Sequence, residues 1–193
     1  ALAWDRDGNS LLIQYDDQGQ GQLARLSLEG KINVLAQDLG GTSLGRPYGG
    51  GSFAPGPKNA VVYTQTSAQR PADLVWLKEG KRRPLTQLNE DVLAHKQLGQ
   101  VEEIRVSSGF DQREIQAWLV YPPDYQPGRR YPLILEIHGG PFANYGPRFS
   151  SEMQLYAAAG YLVLYVNPRG STSYGAEFAN LIHHRYPGED FDD

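Results

Sequence analysis

One stretch narrows the fold more than any other: L-I-L-E-I-H-G-G-P, residues 133–141. The apolar run is short, follows Pro127, Gly128 and Pro132, and stops at Gly139-Gly140-Pro141. Its length and flanks predict a buried strand rather than a helix. A glycine pair at the carboxyl end of a strand lets the backbone adopt conformations closed to other residues. It also leaves N–H groups bare and able to meet a ligand. Ligands bind beyond the carboxyl ends of the strands in open α/β sheets, so the search for chemistry starts at this loop.

The sequence around it predicts strands and helices in alternation. Arg105–Ser108 and Ile115–Tyr121 read as strands flanking Gly109, and Tyr161–Val166 as a second buried strand stopped by Asn167-Pro168. Between 133–137 and 161–166, Ser150 stands as an N-cap before E-M-Q-L-Y-A-A-A, with Gly160 as the stop. Strand–helix–strand with apolar strands predicts a parallel pair in a sheet covered on both faces, with 133–137 as a central strand. Ala176–Arg185 reads as a short amphipathic helix, and Glu189–Asp193 as the first turn of another. A sheet started this late is expected to be left unfinished at Asp193.

Residues 1–104 have a different grammar. Ala1–Trp4, Ser10–Tyr15, Gln22–Ser27 and Ile32–Ala36 are strand-like, separated by turns carrying Asp, Asn and Gly. After a Gly- and Pro-rich loop at 40–57 come Ala60–Thr66, Asp73–Lys78, Arg83–Thr86 and Gly99–Val106. Trp4 and Phe53 mark a weak repeat of roughly 50 residues, the spacing of four-stranded propeller blades. An ordinary β-sandwich piece is the alternative. Two blades cannot close a ring, because propellers need about 4–8.

Composition removes several function classes. The chain of 193 residues is 40% apolar and 21% charged, with net charge −4. Its acidity and lack of a basic stripe exclude nucleic acid and an anionic membrane surface as expected partners. There is no cysteine, which removes disulfides, zinc–thiolate sites and thiol catalysis. No apolar run approaches the ~18 residues of a membrane span. The first residue is Ala1, so the natural N-terminus is expected to have been removed.

The candidate chemistry centres on Gly140. In the α/β-hydrolase plan, the loop after the third strand supplies one oxyanion-hole N–H and the residue after the nucleophile supplies the other. Counting 105–108, 115–121 and 133–137 as the first three strands places Gly140 in that loop, as a backbone donor for acyl transfer. A tight turn of no chemical consequence is the alternative. His138 precedes any acceptable nucleophile, whereas a triad base comes last in that plan, so it reads as structural. Gly41-Thr42-Ser43-Leu44-Gly45 is a literal G-x-S-x-G, but Pro47 and three glycines follow, and no helix can open there. Ser171 and Ser173 lack the flanking glycines of a nucleophile elbow. Arg169 could clamp a carboxylate or brace the loop through nearby carboxylates. His183-His184 are adjacent and so point apart, which argues against a metal pair, and Glu102-Glu103 read as a solvated strand end.

From about residue 105 the sequence closely resembles the prolyl oligopeptidase family of serine peptidases. The resemblance is carried by P-P-D-Y-Q-P-G-R-R-Y-P-L-I-L-E-I-H-G-G-P (122–141), A-A-A-G-Y-L-V-L-Y-V-N-P-R-G-S-T-S-Y-G (157–175) and the H-H-R-Y-P-G-E-D-F-D-D end. The H-G-G-P form is similar to the acylaminoacyl-peptidase and bacterial dipeptidyl-aminopeptidase branch. The resemblance implies an α/β class fold: the last blades of a β-propeller at 1–104, then the N-terminal part of an α/β-hydrolase sheet at 105–193. It maps the family's oxyanion N–H onto Gly140, with His138, Gly139, Pro141 and Arg169 as loop support. Ser, Asp and His of the triad would lie beyond Asp193, so the chain alone is expected to be inactive. The implied activity is exopeptidase cleavage of short peptides through an acyl-enzyme. It needs no cofactor and no metal, in a cytoplasmic or periplasmic protein that could form a homo-oligomer. An esterase-like hydrolase and a non-catalytic β-rich binding module remain the rival readings.

Overall fold

The computed structural model describes all residues, Ala1–Asp193. Its first two sheets are antiparallel four-stranded meanders. One contains β1 (Leu2–Trp4), β2 (Ser10–Asp17), β3 (Gln20–Ser27) and β4 (Ile32–Ala36) in that order; the other contains β5 (Phe53–Pro55), β6 (Val61–Ser67), β7 (Arg70–Lys78) and β8 (Lys81–Pro84). Local sequence sets these hairpins. Gln18-Gly19 and Glu79-Gly80 take positive φ at both turn residues, the two-residue geometry that matches strand twist. Leu12, Leu23, Leu39, Val61, Tyr63 and Val75 form one shared core between the two sheets. The sheets are therefore packed against each other, as neighbouring blades are.

The third sheet is mixed. It holds β9 (Val101–Ser107), β10 (Glu114–Val120), β11 (Leu133–Ile137) and β12 (Leu162–Asn167) in the order β11-β12-β10-β9. β11 and β12 are parallel, with Ile137 opposite Val166, and the other pairs are antiparallel. α2 (Ser151–Ala158) connects β11 to β12, and Ser150 caps it by accepting a hydrogen bond from Met153 N. Trp118, Val120, Tyr145, Met153, Ala157, Val163 and Tyr165 make the core on the α2 side. Ile115, Ala117 and Val166 pack on the other side against Phe178 of α3 (Gly175–Asn180).

Residues 99–106 do not complete the second blade: β9 pairs with β10, so the mixed sheet begins before the expected 104/105 boundary. The strand that completes that blade is β5, inside the stretch expected to be a loop, and its Phe53 lies opposite Tyr63. A short helix, α1 (Glu90–Leu93), precedes β9. Within residues 1–193, β11 pairs with β12 alone. The last helix is shorter than 176–185, and Glu189–Asp192 forms a 3₁₀ turn.

The blades touch the mixed sheet through hairpin tips. Gly19 sits over Trp118 so closely that a Cβ would lie 2.8 Å from the indole. Gln18 and Gly19 donate their N–H groups to Ser173 O and Oγ at 2.9 and 2.7 Å. No helix is long and apolar enough to cross a membrane.

Candidate active-site loop

Because β11 and β12 are parallel and in register, the chain leaves both on the same rim. His138-Gly139-Gly140-Pro141 leaves from β11, and Asn167-Pro168-Arg169-Gly170 from β12. Gly140 has φ +142, a region that L side chains rarely adopt, and the Gly140–Pro141 peptide is cis. Gly139 and Gly140 are exposed, and the Gly140 N–H donates to no group in the chain. An unpaired backbone donor on an exposed residue at the carboxyl rim of a parallel strand is the chemical element that an oxyanion requires.

The loop is stitched to the segment leaving β12. His138 Nε2 lies 3.0 Å from Ser171 Oγ, and the Ser171 hydroxyl donates to Pro168 O at 2.6 Å. Thr172 N donates to Ala143 O, and Thr172 Oγ1 to Asn144 Oδ1, both at 2.9 Å. Asn167 grips Tyr145 at both ends. Its Oδ1 accepts from Tyr145 N at 2.7 Å, and its Nδ2 donates to Tyr145 O at 2.9 Å. Asn167 and Ser171 are both fully buried. Buried polar groups must be paired, and these pair the two rim segments to each other.

His138 is 6% exposed and packs edge-on against Tyr145, with ring centroids 5.0 Å apart. Tyr48, from the loop between the two blades, meets it at 6.5 Å. Burial pushes the His138 imidazole below its ordinary pKa, against smaller raising contributions from Gly139 and Asn167. No carboxylate is hydrogen-bonded to the ring, so it is not the base of an Asp–His pair.

Arg169 does not brace the Gly loop. It donates to both carboxylate oxygens of Asp193, to Asp111 and to Ser108 Oγ, while its guanidinium covers the Phe110 ring. These bonds, those to Asp193 foremost, hold its pKa above the usual range. Its bracing joins the β9–β10 turn to the chain's last residue, and none of its bonds reaches residues 138–141. Pro141 contributes its carbonyl, which accepts from Ala143 N at 2.8 Å.

The other candidates fall into structural places. The carbonyls of Leu44 and Gly45 accept from Ser151 N and Glu152 N at 2.9 and 3.1 Å, and Gly45 O also accepts from Ser150 Oγ at 2.6 Å. The Ser43 loop is thus a partner for the exposed donors of α2, and no helix follows it. Next to it, Arg46 pairs with Glu136 and Glu152, both at 2.9 Å. His183 and His184 are exposed but do not point apart as expected: their ring centroids lie 3.9 Å apart, though no group of three or more ligating side chains is assembled. Glu102 and Glu103 alternate on β9 and so face opposite sides of the sheet. Sequence reasoning missed Asn167, Ser171 and Thr172. Their signal was a run of small polar residues directly after an apolar strand, on the rim where function collects.

A model of the prolyl oligopeptidase family matches residues 147–193. The chain is 33% identical to the uncharacterized peptidase YuxL of Bacillus subtilis, over 98% of this chain and 28% of that protein. It is 27% identical to dipeptidyl-peptidase 5 of Aspergillus fumigatus, over 100% of this chain and 27% of that one. Among solved structures, the acylaminoacyl peptidase of Pyrococcus horikoshii superposes with a TM-score of 0.79 at 30% identity, covering 97% of this chain and 28% of that one. The chain therefore spans little more than a quarter of the length of these relatives. Its meander sheets are propeller blades, and its mixed sheet is the N-terminal half of an α/β-hydrolase sheet. With that fold, the chain is similar along nearly its whole length to these peptidases, and its residues 147–193 match the prolyl oligopeptidase family.

Proposed function

We propose that the intact protein is a serine exopeptidase that cleaves short peptides, and that this chain supplies one half of its oxyanion hole. The observation that carries the reading is the unpaired, exposed Gly140 N–H on the rim shared by β11 and β12. An acyl-transfer site needs that donor about 3 Å from the developing oxyanion, with a second N–H from the residue after the nucleophile. The serine attacks the scissile carbonyl, a histidine takes its proton, and an aspartate holds that histidine. Water then hydrolyses the acyl-enzyme. In this reading the triad lies in sequence outside residues 1–193, and no cofactor takes part. Residues before Val101 are propeller blades that stand beside the rim and restrict the size of the peptide that enters. Their nearness is visible in the packing of Tyr48 against His138.

A fluorophosphonate probe tests the assignment. The intact protein takes up one equivalent at a serine outside residues 1–193, and uptake parallels loss of activity on short peptides with a defined N-terminal residue. The 193-residue chain alone takes up none. Labelling at Ser43, or an intact protein that hydrolyses simple esters but no peptide, contradicts the reading.

A further inference from the structure

The carbonyl of Gly139 and the N–H of Gly140 are two ends of one peptide plane. Whatever holds the carbonyl aims the N–H. His138 Nδ1 lies 3.3 Å from Gly139 O, and the same ring places Nε2 3.0 Å from Ser171 Oγ, whose hydroxyl lies 2.6 Å from Pro168 O. Three contacts in a row each call for a hydrogen. A neutral imidazole has one and a serine hydroxyl has one, so the row is one hydrogen short.

We propose that His138 positions the Gly139–Gly140 peptide when its hydrogen is on Nδ1, and that Ser171 competes for that hydrogen. With the hydroxyl of Ser171 committed to Pro168 O, its oxygen lone pair draws the imidazole hydrogen to Nε2. Nδ1 then turns a lone pair toward Gly139 O and the peptide loses its tether. With the hydrogen on Nδ1, the carbonyl is held and the Gly140 N–H is fixed outward. Ser171 is fully buried, so no water relieves the shortage at its end of the row. The ionisable groups facing the ring are Tyr48 and Tyr145; Glu136 reaches only the Tyr145 hydroxyl, and Arg46 pairs with Glu136. None supplies a charge that would favour the imidazolium. Ser171 is thus a brake on the loop, and His138 is the positioning residue it acts through.

This inference rests on Gly140 being the oxyanion donor, and the experiment separates the two. The intact protein and its Ser171→Ala, His138→Leu and His138→Asn variants are compared in peptide hydrolysis and by ¹⁵N-histidine NMR. A structural serine predicts that Ser171→Ala lowers kcat. The brake predicts that Ser171→Ala moves the hydrogen to Nδ1 and raises kcat a few-fold at unchanged KM, the worth of about one neutral hydrogen bond. His138→Leu lowers kcat ~10-fold, part of what loss of an oxyanion donor costs. His138→Asn restores most of it, because its amide N–H can meet Gly139 O. A wild-type ring already wholly Nδ1–H, or a Ser171→Ala ring unchanged from wild type, overturns the proposal whatever the kinetics. If the tautomer shifts as expected but neither kcat nor the Gly140 amide resonance responds, the link to the peptide is wrong. If the amide responds and the protein hydrolyses no peptide, the positioning stands and the peptidase reading fails.

Discussion

Arg148 and Asp16 meet across the seam between the first blade and the mixed sheet, Nη2 to Oδ1 at 3.0 Å, with the side chains 4% and 24% exposed. Burial pulls the Arg148 pKa down and pushes the Asp16 pKa up, and each partner counters the other's shift. Nε and Nη1 of Arg148 have no further partner. The guanidinium therefore depends on one carboxylate, whereas that carboxylate keeps some water.

This asymmetry predicts unequal mutants. Asp16→Ala leaves a buried cation uncompensated and should cost ~3 kcal/mol. Arg148→Met should cost less, because Asp16 can hydrate and the methionine still fills the seam. The double mutant should be more stable than Asp16→Ala alone. Urea unfolding of the protein measures all three, and an Arg148→Met protein weaker than Asp16→Ala would refute the asymmetry.

Asn167 is the second weak point. Truncation to alanine strands the Tyr145 N–H and leaves Tyr145 O only the longer 3.4 Å bond from Asn144 Nδ2, where Asn167 serves both from a fully buried position. The expected cost is about 2–3 kcal/mol. Asn167→Asp should not be milder, since it keeps the acceptor for Tyr145 N but turns the donor into an oxygen facing Tyr145 O. Thermal unfolding decides; an Asn167→Asp protein as stable as wild type would contradict the clamp.

Burial lowers the pKa of His138 in the folded state. A depressed folded value means that the unfolded chain binds the proton more readily. Stability from this group is therefore complete above the ordinary pKa of about 6.5 and is lost as pH falls from there toward the folded value. Between pH 7 and 5 the wild-type Tm should fall more steeply than that of His138→Asn. Parallel curves would show that the histidine titrates as though exposed.

Gly140→Ala tests the backbone. At φ +142 a Cβ is strained and would sit 3.1 Å from Phe142 N and 3.4 Å from Ala143 Cβ, at a cost of ~1–3 kcal/mol. Moving the loop to relieve it should lower kcat of the intact protein by ~10²-fold with little change in KM. A proportionate rise in KM instead would mean that Gly140 serves substrate binding and not the transition state.

Much of this was legible because it is local. The hairpins follow from strand alternation with Gly-containing turns, as at Gln18-Gly19 and Glu79-Gly80. The helix 151–158 follows from Ser150 and Gly160, and the Gly loop from its place after an apolar run. What escaped depends on contacts between distant residues. Whether 101–107 completes a blade or joins the next sheet is decided by its partner β10, and its own residues suit either. Phe53–Pro55 is too short and too rich in Gly and Pro neighbours to show a period. Arg169 looked like a loop brace because it follows β12, yet its partners are Asp111 and Asp193. Ser171 read as a failed nucleophile, since nothing local reveals that His138, 33 residues earlier, lies 3.0 Å away.

The most direct measurement is a crystal structure of the intact protein with a peptide aldehyde or chloromethyl ketone trapped on its nucleophile. The Gly140 N–H should donate to the tetrahedral oxygen at about 2.7–3.1 Å, with Gly139 O turned toward His138. An oxygen held by other donors, with Gly140 N beyond hydrogen-bonding reach, would contradict the assignment of this loop.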